Sequence, residues 1–440
     1  MRKTVLFIFV LSACSILSKA QDLNTLKLDS LFAAISNHAK GMGSVSIFKE
    51  GKEIYQKSYG FSDVEKGIPN KANTQFRIGS ISKTLTATIL MKLIEEGKLS
   101  LTTRLSDYYP QIPNSGKITI EHLLQHRSGI SNFIEVEDYE EWSVKEQTKK
   151  QLLKRIVSGG ITFEPDEQFD YSNSNYVLLT FIAEDVTSKS FADLLNEIIV
   201  VPCVLQHTYI GTKIGLKEKE AYSYTRISGN WVKAKETDMS VPQGSGFIVS
   251  TPYDLNRFLS CLFSEKIVKK ETLDRMLSLK NNFGLGLFSV PFKERNGYGH
   301  TGGIDSFQSN AFYFPESELS ITITENGVVY MLNKIITGCL QLYFGEDYLL
   351  PEFKDPIEVT SKELEQYLGV YSSPELPFKL TITKKENTLI AQGTGQQALF
   401  MECIGKHIFE YEGVNLILEF MPESGKMVLK QFGQEIELSK

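Results

Sequence analysis

The 440-residue chain predicts a mixed α/β (α+β) fold: an antiparallel sheet flanked by helices, a helical subdomain, and then a small C-terminal β-barrel or sandwich. Three observations predict it. Val45, Ile47 and Ile54 alternate around Glu50-Gly51-Lys52, the pattern of a hairpin over 43–59. Helical periodicity then occupies the middle of the chain, at 80–96, 119–126, 146–157, 175–187 and 252–263. Strand patterns return after His300, at 307–315 and 319–325, so sheet segments bracket the helices.

The elements follow in order. Residues 1–20 read as an export signal, because Arg2 and Lys3 precede an apolar run from Val5 to Leu11 and small residues follow to Ala20. Leu11-Ser12-Ala13-Cys14 also has the form of a lipidation site at Cys14, but the apolar character continues through Ile16 and Leu17, which favours cleavage after Ala20. The predicted location is periplasmic or secreted. No later stretch reaches the roughly 20 apolar residues a membrane span needs.

The helix over 80–96 carries Leu85, Ile89, Leu93 and Ile94 at helical spacing, with Gly97 where a C-cap belongs. A helix-like stretch at 329–343 follows the late strands, and Pro351 and Pro356 close this part. Beyond them Leu380/Ile382, Leu389/Ala391, Phe409/Tyr411, Leu416/Leu418 and Met427/Leu429 alternate between turns such as Glu423-Ser424-Gly425. Since single cores stop growing near roughly 250–300 residues, two units are expected, 21–350 and 356–440.

Composition narrows the function. Hydrophobic content of 42% and charged content of 23% are those of a globular protein that needs no staple. Removing 1–20 takes away three cations and no anion, leaving 44 against 53 and a formal charge of −9. That sign, with no basic stripe, excludes a general nucleic-acid binder. Cys203, Cys261, Cys339 and Cys403 lie far apart and outside CxxC spacing, so buried free thiols are expected.

Three segments carry chemistry. In Phe76-Arg77-Ile78-Gly79-Ser80-Ile81-Ser82-Lys83, Ser80 and Lys83 share one helix face, and the helix start offers free N–H groups beside the hydroxyl. Alone, the spacing of this Ser-x-x-Lys favours an N-cap serine with an exposed lysine. Tyr171-Ser172-Asn173 follows a Pro165-Asp166-Glu167 turn, and Tyr298-Gly299-His300-Thr301-Gly302-Gly303 precedes the late strands. His122 and His126 share a helix face, but no metalloprotease Glu stands between them and no third ligand is evident, so no metal and no cofactor is expected.

Ser-x-x-Lys, Tyr-x-Asn and a later His-Thr-Gly, in that order, resemble the class C β-lactamase and penicillin-binding protein family, with its DD-peptidases and family VIII esterases. Weaker echoes lie at 118–129, at Gln243-Gly244-Ser245-Gly246 and at 250–255, so the resemblance covers about residues 40–345. It implies a β-lactamase-like fold and a serine hydrolase with Ser80 as the acylated nucleophile. Lys83 and Tyr171 would share the base work, provided that Lys83 lowers the Tyr171 pKa. Asn173, His300 and Thr301 would bind substrate, with His300 shaping the leaving-group side or meeting a carboxylate. The backbone N–H groups of Ser80 and Gly303 would form the oxyanion hole.

The implied substrates are peptides with D-amino acids, small esters and β-lactams, in that order. The alternative is an idle protein of the same fold that binds peptide or glycan. Three departures stand out: His300 replaces a usual Lys, Asp166 stands within a usual Pro-Gly-Glu, and Pro202-Cys203-Val204-Leu205 replaces Pro-Leu-Gly-Met. The tail over 356–440, with Tyr367-Leu368-Gly369-Val370-Tyr371, resembles the small β-barrel of some members.

Overall fold

A computed structural model describes residues 23–215, 219–227, 229–394, 396 and 398–440. The expected export signal over 1–20, with Cys14, lies outside the described residues.

The first described helix, α1 (Thr25–Asn37), starts where the Asn24 side chain accepts from Lys27 N, and its Leu28, Leu31, Phe32 and Ile35 are fully buried at helical spacing. The hairpin follows as β1 (Gly41–Lys49) and β2 (Lys52–Tyr59). The helical middle contains α2 (Ser82–Glu95), α3 (Asn173–Thr187) and α4 (Pro252–Phe263). The late strands are β3 (Phe288–Phe292), β4 (Arg295–Ile304), β5 (Phe307–Phe314) and β6 (Leu319–Val328), followed by α5 (Leu332–Tyr343).

These strands form one antiparallel path, β3-β4-β5-β6-β1-β2, in which the first hairpin closes onto the last long strand from Gly41↔Val328 to Lys49↔Leu319. β6 is buried along nearly its whole length because both of its faces are covered. On one face α1 and α5 bring Phe32, Ile35, Ile335 and Ile336 against Val45, Ile47, Phe312, Ile321 and Ile323. On the other, α4 reaches the sheet through Asn256, which donates to Ser46 O at 2.8 Å and accepts from Thr322 at 2.9 Å. The core that holds α2 and α3 extends from there.

Two departures from the usual family sequence sit at left-handed backbone, Asp166 with φ 70° and Val204 with φ 54°. Glycine adopts that region freely, so a β-branched Val204 there is strained. Asp166 gains instead, since its carboxylate meets Arg127 at 2.6 Å and Lys280 at 2.5 Å.

Residues from Gly369 to Ser439 form eight antiparallel strands in simple sequence order. Reciprocal N–H···O bonds between Ser372 and Ser439, at 2.9 and 3.0 Å, join the last strand to the first, so the tail is a barrel. Its interior is packed with Leu380, Ile382, Leu389, Phe409, Leu418, Phe420 and Met427. Lys40 reaches from the sheet to Glu402 at 3.0 Å and Glu412 at 3.2 Å, and Arg226 Nε meets Glu402 at 3.0 Å.

Inside the sheet, Glu325 of β6 is fully buried and accepts from Tyr59 Oη at 2.6 Å, while its second oxygen has no partner. Burial pushes its pKa from the ordinary 4.5 up to about 8. The folded state therefore holds a proton that the unfolded chain gives up above 4.5, and stability falls as pH rises from about 4.5 to about 8. At about 1.4 kcal/mol per pH unit, the cost reaches about 3 kcal/mol by pH 7. Glu325→Gln is expected to raise the melting temperature over wild type at pH 8 and to match it near pH 4.5. A melting-temperature difference that does not change with pH contradicts this.

Candidate active site

Ser80 lies in a 3-10 turn, Gly79–Ile81, that runs into α2, so the regular helix begins two residues later than the spacing predicts. The cause is Gly79, whose φ of 51° turns the chain sharply against β4. A Cβ on Gly79 would lie 2.7 Å from the Gly303 nitrogen, and one on Gly302 would lie 2.0 Å from the Ile78 carbonyl. Backbone thus packs on backbone, and the Ser80 turn and the 302–303 stretch touch with no side chain between them.

Lys83 leaves the first turn of α2 and is fully buried. Its Nζ lies 3.0 Å from Ser80 Oγ, 2.7 Å from Asn173 Oδ1 and 2.9 Å from the Ser245 carbonyl. No carboxylate offsets its burial, which alone drives its pKa well below the ordinary 10.5. A neutral amine has two N–H donors and one lone pair. When the amine is deprotonated, Asn173 and Ser245 can take those donors and the lone pair is left for the Ser80 hydroxyl.

Tyr171 lies beside Ser80, and its ring centroid lies 4.8 Å from Lys83 Nζ. The lowered phenol that the sequence reading required is not found: burial raises its pKa, and the neighbouring Ser80 hydroxyl only opposes this. Of the two candidate bases, the amine is the one tuned toward neutrality.

Asn173 opens α3, and its side chain is held from behind. Asn132 Oδ1 accepts from Asn173 N at 3.1 Å and from its Nδ2 at 3.2 Å, while Asn132 Nδ2 donates to Glu135 at 2.7 Å. Beside this row opens a cleft of about 560 Å³, lined in part by Asn132, Glu135, Arg155 and Asp170.

His300, Thr301 and Gly303 lie on β4 beyond the end of its pairing with β3, which stops at Phe288↔Gly299. There β4 keeps only β5 as a neighbour along the sheet, from His300↔Ala311 to Ile304↔Phe307. Gly303 is exposed, and a Cβ there would meet nothing nearer than the Phe307 carbonyl oxygen at 3.9 Å. An extended chain can therefore lie along this edge. His300 is buried; its Nδ1–H donates to the Thr301 carbonyl, and burial together with the nearby Lys83 lowers its pKa to about 3. The imidazole is neutral, so the expected meeting with a carboxylate lacks a positive charge.

The structure thus joins Ser80, Lys83 and Asn173 by hydrogen bonds, sets the Tyr171 ring against Lys83, and brings Gly303 beside them by backbone contact. It also adds residues that the sequence had not placed in the site. Asn132 and the Ser245 carbonyl are two; the signal for Ser245 was its Gln-Gly-Ser-Gly turn, whereas Asn132 is a lone polar residue in a loop. His126 is fully buried and stacks on Tyr171 with centroids 4.3 Å apart. His122 serves its own helix, accepting from Thr119 N at 3.3 Å.

A family model described as Beta-lactamase matches residues 28–334. A teichoic acid D-alanine hydrolase of Staphylococcus aureus is 28% identical over 277 residues, covering 62% of this chain and 68% of that protein. A penicillin-binding protein of Bacillus subtilis (strain 168) is 25% identical over 451 residues, covering 94% of this chain and 93% of its own length. Among solved structures, a D-amino acid amidase from Ochrobactrum anthropi SV3 superposes with a TM-score of 0.65 at 23% identity, over 72% of this chain and 99% of that one. An octameric penicillin-binding protein homologue from Pyrococcus abyssi reaches the same TM-score at 24% identity, over 94% of this chain and 100% of that one. Among the described residues no helix is long and apolar enough to cross a membrane. The match spans most of the chain and contains the Ser80–Lys83–Tyr171–Asn173 group, and on that basis the chain belongs to the Beta-lactamase family of serine hydrolases.

Proposed function

We propose that the protein is an exported hydrolase of D-aminoacyl esters and amides that works through an acyl-enzyme on Ser80. The observation that carries this reading is the buried Lys83 amine, which has no counter-ion and whose Nζ lies 3.0 Å from Ser80 Oγ. Ser80 Oγ attacks the carbonyl carbon as its proton passes to Lys83. The oxyanion is received by the N–H groups of Ser80 and Gly303. Collapse of the tetrahedral adduct expels an alcohol or amine, which takes a proton from Tyr171 or Lys83. Water then attacks the ester by the reverse route.

Asn173 and the β4 edge at Thr301 hold the substrate, and His300 shapes the leaving-group side. Because His300 is neutral, a β-lactam carboxylate finds no charge there, which places β-lactams last. Two relatives act on D-alanine or D-amino acid substrates by name, which favours a D-aminoacyl group. In this reading residues 1–20 direct export, 21–350 form the hydrolase unit and 356–440 an appended barrel.

The test uses D-alanine p-nitroanilide, D-alanine esters and a labelled penicillin with wild type and Ser80→Ala. Wild type is expected to release D-alanine faster than L-alanine from matched substrates, and Ser80→Ala to lose about 10⁴-fold or more. Equal turnover by both proteins rules out Ser80 as the nucleophile.

A further inference from the structure

We propose that Arg77 and Asp305 are positioning residues that set the spacing of the two oxyanion donors; this rests on the reading of Ser80 and Gly303 given above. Arg77 ends the strand Phe76–Arg77, three residues before Ser80, and Asp305 lies in the turn two residues after Gly303. Their side chains are 2% and 3% exposed, although the backbone of the turn faces solvent. Arg77 Nη1 donates to Asp305 Oδ2 at 2.8 Å, and Thr237 N donates to Asp305 Oδ1 at 2.9 Å. Both terminal nitrogens have further acceptors: Nη1 donates to Thr237 O at 3.0 Å, and Nη2 to Thr212 O at 3.1 Å and Glu236 at 3.2 Å, while the buried Nε has no partner among the described residues. Both carboxylate oxygens and both terminal nitrogens are therefore fixed in direction.

The two segments that this pair joins are those whose backbones touch at Gly79 and Gly303. Ser309 Oγ adds a bond to the Ile78 carbonyl at 2.8 Å from the next strand. Contact between bare backbones limits how close the segments come but not how far they part or slide, because dispersion is weak and non-directional. The buried Arg77–Asp305 pair, with Thr237 bonded to both partners through its N–H and its carbonyl, supplies the missing direction. Such pairs are poor sources of net stability, since desolvation offsets their attraction, but they fix geometry. An oxyanion hole depends on that geometry, because a donor misplaced by about 1 Å is worth on the order of 100-fold in rate.

The experiment compares wild type, Asp305→Asn, Asp305→Ala, Arg77→Lys and Ser80→Ala on one D-aminoacyl ester. It records kcat, KM, melting temperature and the affinity for phenylboronic acid, whose tetrahedral adduct with Ser80 places an oxygen in the hole. Folded Asp305→Asn and Arg77→Lys are expected to lose on the order of 10- to 100-fold in kcat with KM unchanged, and boronate affinity is expected to fall in parallel. If Asp305→Ala does not fold, the two conservative variants carry the result. Unchanged kcat and boronate affinity in folded Asp305→Asn, or a loss confined to KM, overturns the brace while Ser80→Ala stays inactive. Activity retained by Ser80→Ala instead overturns the reading beneath it, and the brace with it.

Discussion

Lys83→Met is expected to lower the rate of Ser80 acylation by about 10² to 10⁴, the range of a general base in a positioned site. Methionine keeps the length and apolar stem of the side chain, so the helix face stays filled while the lone pair opposite Ser80 Oγ is removed. The Asn173 and Ser245 acceptors lose their partner as well, which costs stability, so single-turnover acylation is to be compared on folded protein only. The pH profile supplies a second readout. A base whose pKa lies well below 10.5 makes the wild-type rate rise with pH and level off before the range of an ordinary lysine. His300, held near 3, adds no inflection around 6.5. Wild-type acylation that keeps rising through the ordinary lysine range, or a Lys83→Met profile identical to wild type, contradicts the neutral-amine mechanism.

Gly79→Ala is expected to damage both stability and catalysis. A Cβ there would lie 2.7 to 2.8 Å from the nitrogen, carbon and oxygen of Gly303, all backbone atoms with no flexible end to swing away. The left-handed φ adds roughly 1–2 kcal/mol of its own. The turn and β4 must separate, so the two proposed oxyanion donors move apart and kcat is expected to fall by on the order of 100-fold in whatever protein still folds. Thermal unfolding and single-turnover acylation on the same preparation check both effects. A variant with wild-type melting and acylation shows that the two segments do not pack as described.

Much of this site was legible because its chemistry is local. Ser80 and Lys83 are three residues apart, Tyr171 and Asn173 two, and the glycines after Thr301 mark a strand that another backbone approaches. Their order along the chain pointed to the family that the comparisons show. What stayed hidden is what distant segments do to one another. Asn132, Asp305 and the Ser245 carbonyl act on partners 41, 228 and 162 residues away, and no spacing rule reaches that far. The same holds for pKa. Tyr171 beside a lysine suggests a lowered phenol, yet burial settles the outcome the other way. In the tail, alternation served a barrel and a sandwich equally, and the difference rests on two hydrogen bonds between Ser372 and Ser439. The start of α2 was misplaced by a 3-10 turn that depends on contact with a strand more than 200 residues later.

The charges between sheet and tail have a consequence for how the gene product can be cut. Lys40 stands at the threshold of β1 with its side chain 2% exposed, and its partners Glu402 and Glu412 belong to the barrel. Stripping away 356–440 removes both carboxylate partners of Lys40 and the Glu402 partner of Arg226, and it uncovers the apolar surface around them. The barrel thus holds the counter-charges for two cations on the sheet side, so a protein cut there is expected to expose both cations at a newly uncovered face, with a lower melting temperature than the full chain.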